Sequence, residues 1–557
     1  MLKTTTTENG SAAYNWVCNN SVQSSMVENL VQFYFQCIIG NKNDYNILCQ
    51  KYDDLFCQSM KNNNFKYVIK LCLQTRDIQD GKGLYEITYS MLETIVYHVY
   101  EKECLSKKVL FKILKNMVRE RSGKPRPYGS WKDMKYFLCN FLDPFNTKFK
   151  YTKTPRHEIA KELIRKTYVV QMIKDRKNMS VSKSISLCGK WLPRESSKKF
   201  GHIGKLIAKQ YHDIVFRTRA SDLEKFKTYR ELIVKFNKYL DTTQIHMNSG
   251  EWGLINFNKV TSLTLLKSKR AFLNHKNIDS DDRYICKENL TRYLNHKLET
   301  GGYLQVGNEI MPHRLVKSVI MNPDSEEIKI LNMQWNGIVE HLMKNKNHFM
   351  KYCIPCIDVS PSMCCEDAVP LHCAIGMGLL CADVSHYNKA FTFSSHPTWF
   401  EFDGSSTFVE KVRQIRNGEW GNSTNIYALF MKVLESCQQA NVSNDLLKDH
   451  SLIIFSDMQF DACEDSLNND VFKHIKSEYR NRGYDDIPFL IFWNLRKTDN
   501  FPSIETTPNM LKLSGNSASL LSILMNVELE ELRTLSNWNL IQKILDNPRY
   551  NIVDHLI

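Results

Sequence analysis

The chain has 557 residues, 43% of them apolar and 11% aromatic, with 74 Lys+Arg against 60 Asp+Glu for a net charge of +14. That composition excludes a disordered or fibrous chain, and the length calls for more than one core. No apolar run approaches the eighteen residues of a membrane span, and the opening MLKTTTTENGSAAYN has no signal-like apolar stretch. The expected location is therefore the cytoplasm, with no membrane partner, and the 17 cysteines are expected as thiols rather than a disulfide framework.

Residues 1–23 are polar and expected to be partly ordered at most. From Ser24 the apolar positions take helical spacing, first Val27, Leu30, Val31, Tyr34 and Ile38, then Phe65, Val68, Leu71 and Cys72. Residues 24–345 are expected to form one all-α domain. Stacked helix pairs in a solenoid are one form it could take, although no clean sequence period marks repeats.

Near residue 350 the pattern changes. CIPCIDVS reads as a buried strand, 366–383 as an apolar helix, KAFTFSS (389–395) and WFEF (399–402) as strands, and 405–416 as helix. Thr424 precedes a helix running to Gln439. SLIIFSD (451–457), IPFLIFW (487–493) and LKLSG (511–515) are further strands, with a helix near 468–482 between the first two. Apolar strands alternating with helices predict a parallel, doubly wound α/β domain over 350–525, followed by a helical segment at 526–557. Ligands of such sheets sit outside the carboxyl ends of the strands.

Charge divides along the same line. Residues 351–557 carry 17 basic and 26 acidic residues, net −9, which leaves +23 on the first 350. A split of this size predicts two modules with different partners. A strongly basic module suits a polyanion.

IPCIDVSPSM (354–363) places Asp358, Ser360 and Ser362 at i, i+2 and i+4 as a strand ends. Three converging oxygens suit Mg²⁺ or another hard divalent cation. GNSTNIY adds Thr424, beside Asn422 and Ser423, and LIIFSDMQFD adds Asp457, with Asp461 as an acidic reserve. Ser360, Ser362 and Thr424 are expected as direct ligands, with Asp358 and Asp457 acting through water. A cation held by few charges would accept an acidic residue of a protein partner.

This arrangement resembles a von Willebrand factor A-type domain with its metal-ion-dependent adhesion site. Further segments carry a wider resemblance: TENGSAAYN (7–15), TRDIQDGKGLYE (75–86), YGSWKDM (128–134), GKWLPRESSKKFG (189–201), YRELIVKFNKYLD (229–241) and GEWGLINFNKVTS (250–262). Together they are similar to a protein family of plants, fungi, slime moulds and giant DNA viruses. In that family a helical region precedes an A-type domain. The architecture more distantly resembles the TROVE module of the Ro autoantigen, which implies binding of small structured or single-stranded RNA. The high Asn and Lys content suits an AT-rich genome such as a giant virus, for which the cytoplasm would be the host's.

The residues offer their own support for RNA. Residues 161–210 hold 13 Lys+Arg and only three acids, with Tyr168 and Trp191 among them as candidate stacking rings. Lys174, Arg176, Lys177, Lys190, Arg194, Lys198 and Lys199 are the candidate RNA contacts. GKPRPYGSWK (123–132) reads as a basic loop or a structural connector. Asp77 with Gly81-Lys82-Gly83 reads as a helix–turn–helix joint, since the Walker spacing is absent. Cys353 and Cys356 lie on opposite faces of a strand and are not expected to share a zinc. No motif of a hydrolase or dinucleotide enzyme appears. The expectation is a non-enzymatic RNA-binding protein of Ro-like architecture with a divalent-cation-dependent adhesion site. The alternative is a metal-dependent protein-interaction scaffold without nucleic acid.

Overall fold

A computed structural model of the chain describes residues 2–6, 12–16, 26–38, 42–61, 65–118, 126–143, 145, 148–304, 310–344, 348–418, 420–421, 424–460, 471–496, 500–501, 509–552 and 554. The chain forms two compact units. A sheet unit comprises residues 1–44, 262–269 and 294–546, and a helical unit comprises 45–261, 270–293 and 547–557. The helical unit carries 48 basic and 26 acidic residues, so the charge asymmetry follows the spatial division.

The strands are β1 (Leu2–Thr6), β2 (Ala12–Trp16), β3 (Cys353–Asp358), β4 (Lys389–Phe393), β5 (Thr398–Glu401), β6 (Ser451–Ser456), β7 (Phe489–Asn494), β8 (Asn500–Phe501) and β9 (Met510–Ser514). Six of them form a sheet in the order β5-β4-β3-β6-β7-β9. All neighbours are parallel except β5, which runs antiparallel to β4. The chain enters at β3, builds outward to β5 on one side, then returns to β6 and builds outward on the other. The topological switch therefore lies between β3 and β6.

Alternation along the strands divides the core. Cys356, Phe391, Ile454 and Phe492 pack with the helices Ile426–Gln439 and Val471–Asn481 on one face. Ile357 meets the helix Cys365–Val384 on the other. A Cβ at Gly378 of that helix would stand 2.5 Å from Ile357 Cγ1, so glycine is what lets the helix seat against β3. This helix is long and apolar enough to cross a membrane, but most of it is buried as a core helix of the sheet unit.

The units cut across the expected linear boundaries at 23/24, 345/350 and 525/526, and burial explains why. The helix Met26–Gln36 packs on β9 and on the helix Asn537–Leu545, with Ser514 Oγ donating to the Tyr34 carbonyl at 3.3 Å. The helix Ser325–Met343 stacks Trp335 on Phe408 at 4.0 Å, and Trp335 Nε1 donates to Asp383 at 2.6 Å. The same carboxylate pairs with Lys411. These helices satisfy their apolar faces on the sheet unit. The N-terminus also differs from expectation, since β1 and β2 form an antiparallel hairpin and β8 joins it as a third strand.

In the helical unit the quoted motifs meet one another. Asp77 is fully buried and accepts from Arg549 Nε at 2.5 Å, Arg549 Nη2 at 2.8 Å and Tyr550 Oη at 3.0 Å. Arg76 Nη2 donates to Asp133 at 2.8 Å, and Tyr89 Oη donates to the other oxygen of that carboxylate at 2.7 Å. Asp133 also completes a capping box with Ser130. The 75–84 segment is thus a helix–turn–helix joint, and 128–134 a buried connector. GKWLPRESSKKFG packs on the helix Asp222–Leu240, where Tyr229 Oη donates to the Pro193 carbonyl at 2.9 Å and Arg230 pairs with Glu195.

Candidate cation site and basic surface

β3 and β6 end side by side at the switch, delivering Asp358 and Asp457, both fully buried. Ser456 Oγ donates to Asp358 Oδ2 at 2.6 Å, and the Ser360 amide donates to Asp358 Oδ1 at 2.9 Å. The Ser360 and Ser362 hydroxyls are 3.1 Å apart, and Ser362 also hydrogen-bonds Asp457. The loop carrying Thr424 is held at the end of β4. The Gly421 amide donates to Ser394 Oγ at 2.7 Å, and the Asn425 amide to the Ser394 carbonyl at 3.2 Å. β4 is the neighbour of β3, so this loop stands at the same end of the sheet. The Thr424 hydroxyl is buried and finds no hydrogen-bond partner among the described residues. Asn422, Ser423 and Asp461 lie outside the described residues.

Burial, and then the neighbouring Asp457 charge, push the Asp358 carboxyl up to about 7. Burial also raises Asp457, opposed by Ser362 and Arg496. Two buried carboxylates that raise one another's cost of ionisation, with hydroxyls between them, form a donor set that a hard cation would neutralise. A buried hydroxyl without a partner has the same chemistry. The residues therefore fit a divalent cation.

Sequence reasoning missed Arg496, which follows β7 and donates from Nη1 to Asp457 Oδ2 at 3.1 Å. Its guanidinium is partly exposed and neutralises Asp457. Only the tertiary pairing of β6 with β7 brings it there. The backbone is strained around the site. Glu366, Asp367 and Ala368 take φ of 52°, 59° and 57°, and Met458, next to Asp457, takes 64°. Cys353 and Cys356 are both buried; Cys353 hydrogen-bonds Cys381, whereas Cys356 faces the opposite core.

The predicted RNA residues fall in two groups. Lys174, Arg176 and Lys177 are exposed on the helix Val170–Ser180, with Arg176 Nη1 donating to Tyr211 Oη at 3.3 Å. Lys190, Arg194, Lys198 and Lys199 lie on the stretch that leads into the helix Gly201–Val215. Tyr168 is not a stacking platform. It is fully buried with its ring 5.2 Å from that of Trp131, because its helical position faces the core. Trp191 is half-buried, with Lys135 5.1 Å and Lys190 5.9 Å from its ring centroid.

The structure adds Lys132 and Lys135 from the helix Trp131–Phe141. Lys199 lies 5.1 Å from the Tyr136 ring and 5.5 Å from Phe200, Lys132 lies 5.4 Å from Tyr136, and Lys135 lies 4.6 Å from Phe200. Among the described residues no carboxylate pairs with these three lysines. Burial, then Lys132 and Lys199, lower the Lys135 pKa. One turn along the same helix, Cys139 opens a groove of about 860 Å³ that Lys161, Lys205, Lys209, His157 and His202 also line.

Over 485 residues the chain is 28% identical to Uncharacterized protein L728 of Acanthamoeba polyphaga mimivirus, covering 84% of this chain and 78% of that protein. The mimivirus protein is thus a giant-virus homologue of this chain. Residues 149–347 match a family model described as Domain of unknown function (DUF2828), and residues 352–543 match Domain of unknown function (DUF7788). The two matches meet where the helical pattern gives way to β3. Among solved structures, the Deinococcus radiodurans RO (RSR) protein aligns over 90% of this chain and 99% of its own at 11% identity and a TM-score of 0.35.

Proposed function

We propose that this is a non-enzymatic binding protein whose sheet unit is a von Willebrand factor A-type domain with a metal-ion-dependent adhesion site. Ser360, Ser362 and Thr424 would hold Mg²⁺ or a similar cation, with Asp358 and Asp457 as water-mediated supports. The cation would supply an open coordination position for a carboxylate of a protein partner, with Arg496 beside it. The single supporting observation is the convergence of two fully buried carboxylates and a buried, unsatisfied Thr424 hydroxyl at the switch point of the sheet. Titration with Mn²⁺, followed by electron paramagnetic resonance, tests it. Asp358→Ala should weaken binding by about 10–100-fold while circular dichroism shows a folded chain. Equal Mn²⁺ affinity in the variant would reject the site.

The second part of the proposal is that the helical unit binds RNA, in the manner of Ro-like proteins built from stacked helix pairs. It is supported by the cluster of Lys132, Lys135 and Lys199 on Tyr136, Trp191 and Phe200, which offers cations for phosphates beside rings for bases. The charge-reversing pair Lys135→Glu and Lys199→Glu should weaken binding to a small structured RNA. It should also flatten the dependence of log K on log salt by about 1.5, the loss of two phosphate contacts. If the unaltered protein has no salt-sensitive RNA affinity at low ionic strength, the RNA reading fails and the scaffold reading stands alone.

A further inference from the structure

The helical unit holds a group of side chains that neither binding function uses. Asp53 and Cys57 are at i and i+4 on the helix Lys42–Lys61, and so share one face. His98 lies opposite, on the helix Glu86–Tyr100, and is 2% exposed. The ligand atoms of Asp53, Cys57 and His98 all lie within 4.8 Å of one another. His98 Nε2 is 2.8 Å from Asp53 Oδ1. Its ring is held flat against Phe56 at a centroid distance of 4.2 Å, and its other nitrogen, Nδ1, is 3.1 Å from Cys104 Sγ.

We propose that Asp53, Cys57 and His98 form a zinc site, with the fourth position open on the exposed side where Cys57 lies. Sulfur, imidazole and carboxylate donors together suit Zn²⁺ rather than Mg²⁺ or Ca²⁺. Tetrahedral donors at zinc–ligand distances near 2.0–2.3 Å stand roughly 3.3–3.7 Å apart, so His98 Nε2 and Asp53 Oδ1 would part by about half an ångström as the ion enters, a movement within reach of side-chain torsions. The ring of His98 is already oriented, and Cys104 occupies the place of the outer hydrogen-bond partner that metal-bound histidines have.

Zinc takes a thiolate, so the Cys57 thiol gives up its proton on binding. Zinc binding would release that proton to solvent. The His98 proton would reside on Nδ1, facing Cys104 Sγ, while Nε2 turns from Asp53 to the metal.

The test uses the full chain carrying Asp358→Ala, so that the strand-end site does not contribute. Co²⁺ should produce a sulfur-to-cobalt charge-transfer band, and Zn²⁺ should abolish it. Cys57→Ser changes an exposed residue and should leave the fold intact, yet remove the band and weaken Zn²⁺ by more than about 100-fold. Asp53→Asn should weaken Zn²⁺ while keeping the band. A missing band in the parent, or one that survives Cys57→Ser, overturns the proposal, since the latter assigns the metal to other thiols.

Discussion

Two clusters of buried acids, one in each unit, hold their charge in opposite ways. In the helical unit two deeply buried acids have a cation against them, Asp77 with Arg549 and Asp133 with Arg76, while Asp175 is held by neutral donors from Gln171 and Ser186. Burial disfavours the Asp133 carboxylate, but Arg76, Tyr89 and Ser130 outweigh it and hold its pKa below the usual range. In the sheet unit, Asp358 and Asp457 are buried beside one another, and the Asp358 carboxyl is driven up to about 7. Paired buried charge ties distant segments together. Like charges buried together are costly unless something else neutralises them, which makes the sheet end a candidate site and the Asp77 network architecture.

Removing one partner of a buried pair should have the largest effect. Asp77→Ala strands Arg549, whose side chain is 5% exposed, and should destabilise the helical unit by about 3–5 kcal/mol. Hydrogen exchange should rise across 65–100 and leave β3 and β6 protected. Equal loosening in both units would show that the Asp77 network is not local to the helical one. By contrast, Asp358→Ala relieves a like-charge repulsion while leaving the Ser456 hydroxyl and the Ser360 amide without their acceptor, so its net cost should be the smaller of the two.

A smaller effect should appear with pH in the sheet unit. Burial first, then Arg314, His372 and Lys317, lower His313 to about 3; burial, then Lys317, lowers His372 to about 4. Both folded values lie below that of an unfolded histidine. Above about pH 6.5 neither state binds the proton, so stability is flat. Between about 6.5 and 4 the unfolded chain takes up protons that the folded one refuses, so stability falls as pH falls. Each histidine contributes at most about tenfold in the folding constant per pH unit. Urea midpoints at pH 7 and pH 5 should separate in the parent and draw together in His372→Gln. An unaltered separation would assign the acid lability to other groups.

The strands after residue 350 were legible because parallel strands buried on both faces read as unbroken apolar runs. CIPCID, KAFTF, LIIFS and FLIFW all fall in the six-stranded sheet. Asp358, Ser360 and Ser362 were legible for a related reason, since a spacing of two along one strand end is local information. Arg496 was not, because nothing near it in the chain marks the strand end it reaches. Lys132 and Lys135 were hidden similarly, as they join Lys199 from a helix more than 60 residues earlier. Tyr168 was misread because a basic neighbourhood in sequence says nothing about which helix face is buried. The hairpin β1–β2 was missed because its third strand lies at Asn500–Phe501.

By itself the sequence determined the order of elements, the change from helical to strand-and-helix pattern near residue 350, and the charge asymmetry between the halves. These are local or additive properties, set by residue spacing and counting. Only the tertiary structure decided which helices join the sheet, that Arg549 closes on Asp77 from 472 residues away, and that lysines of two segments share three aromatic rings. Those pairings depend on which apolar faces bury one another. Burial is a property of the folded surface rather than of any stretch of chain.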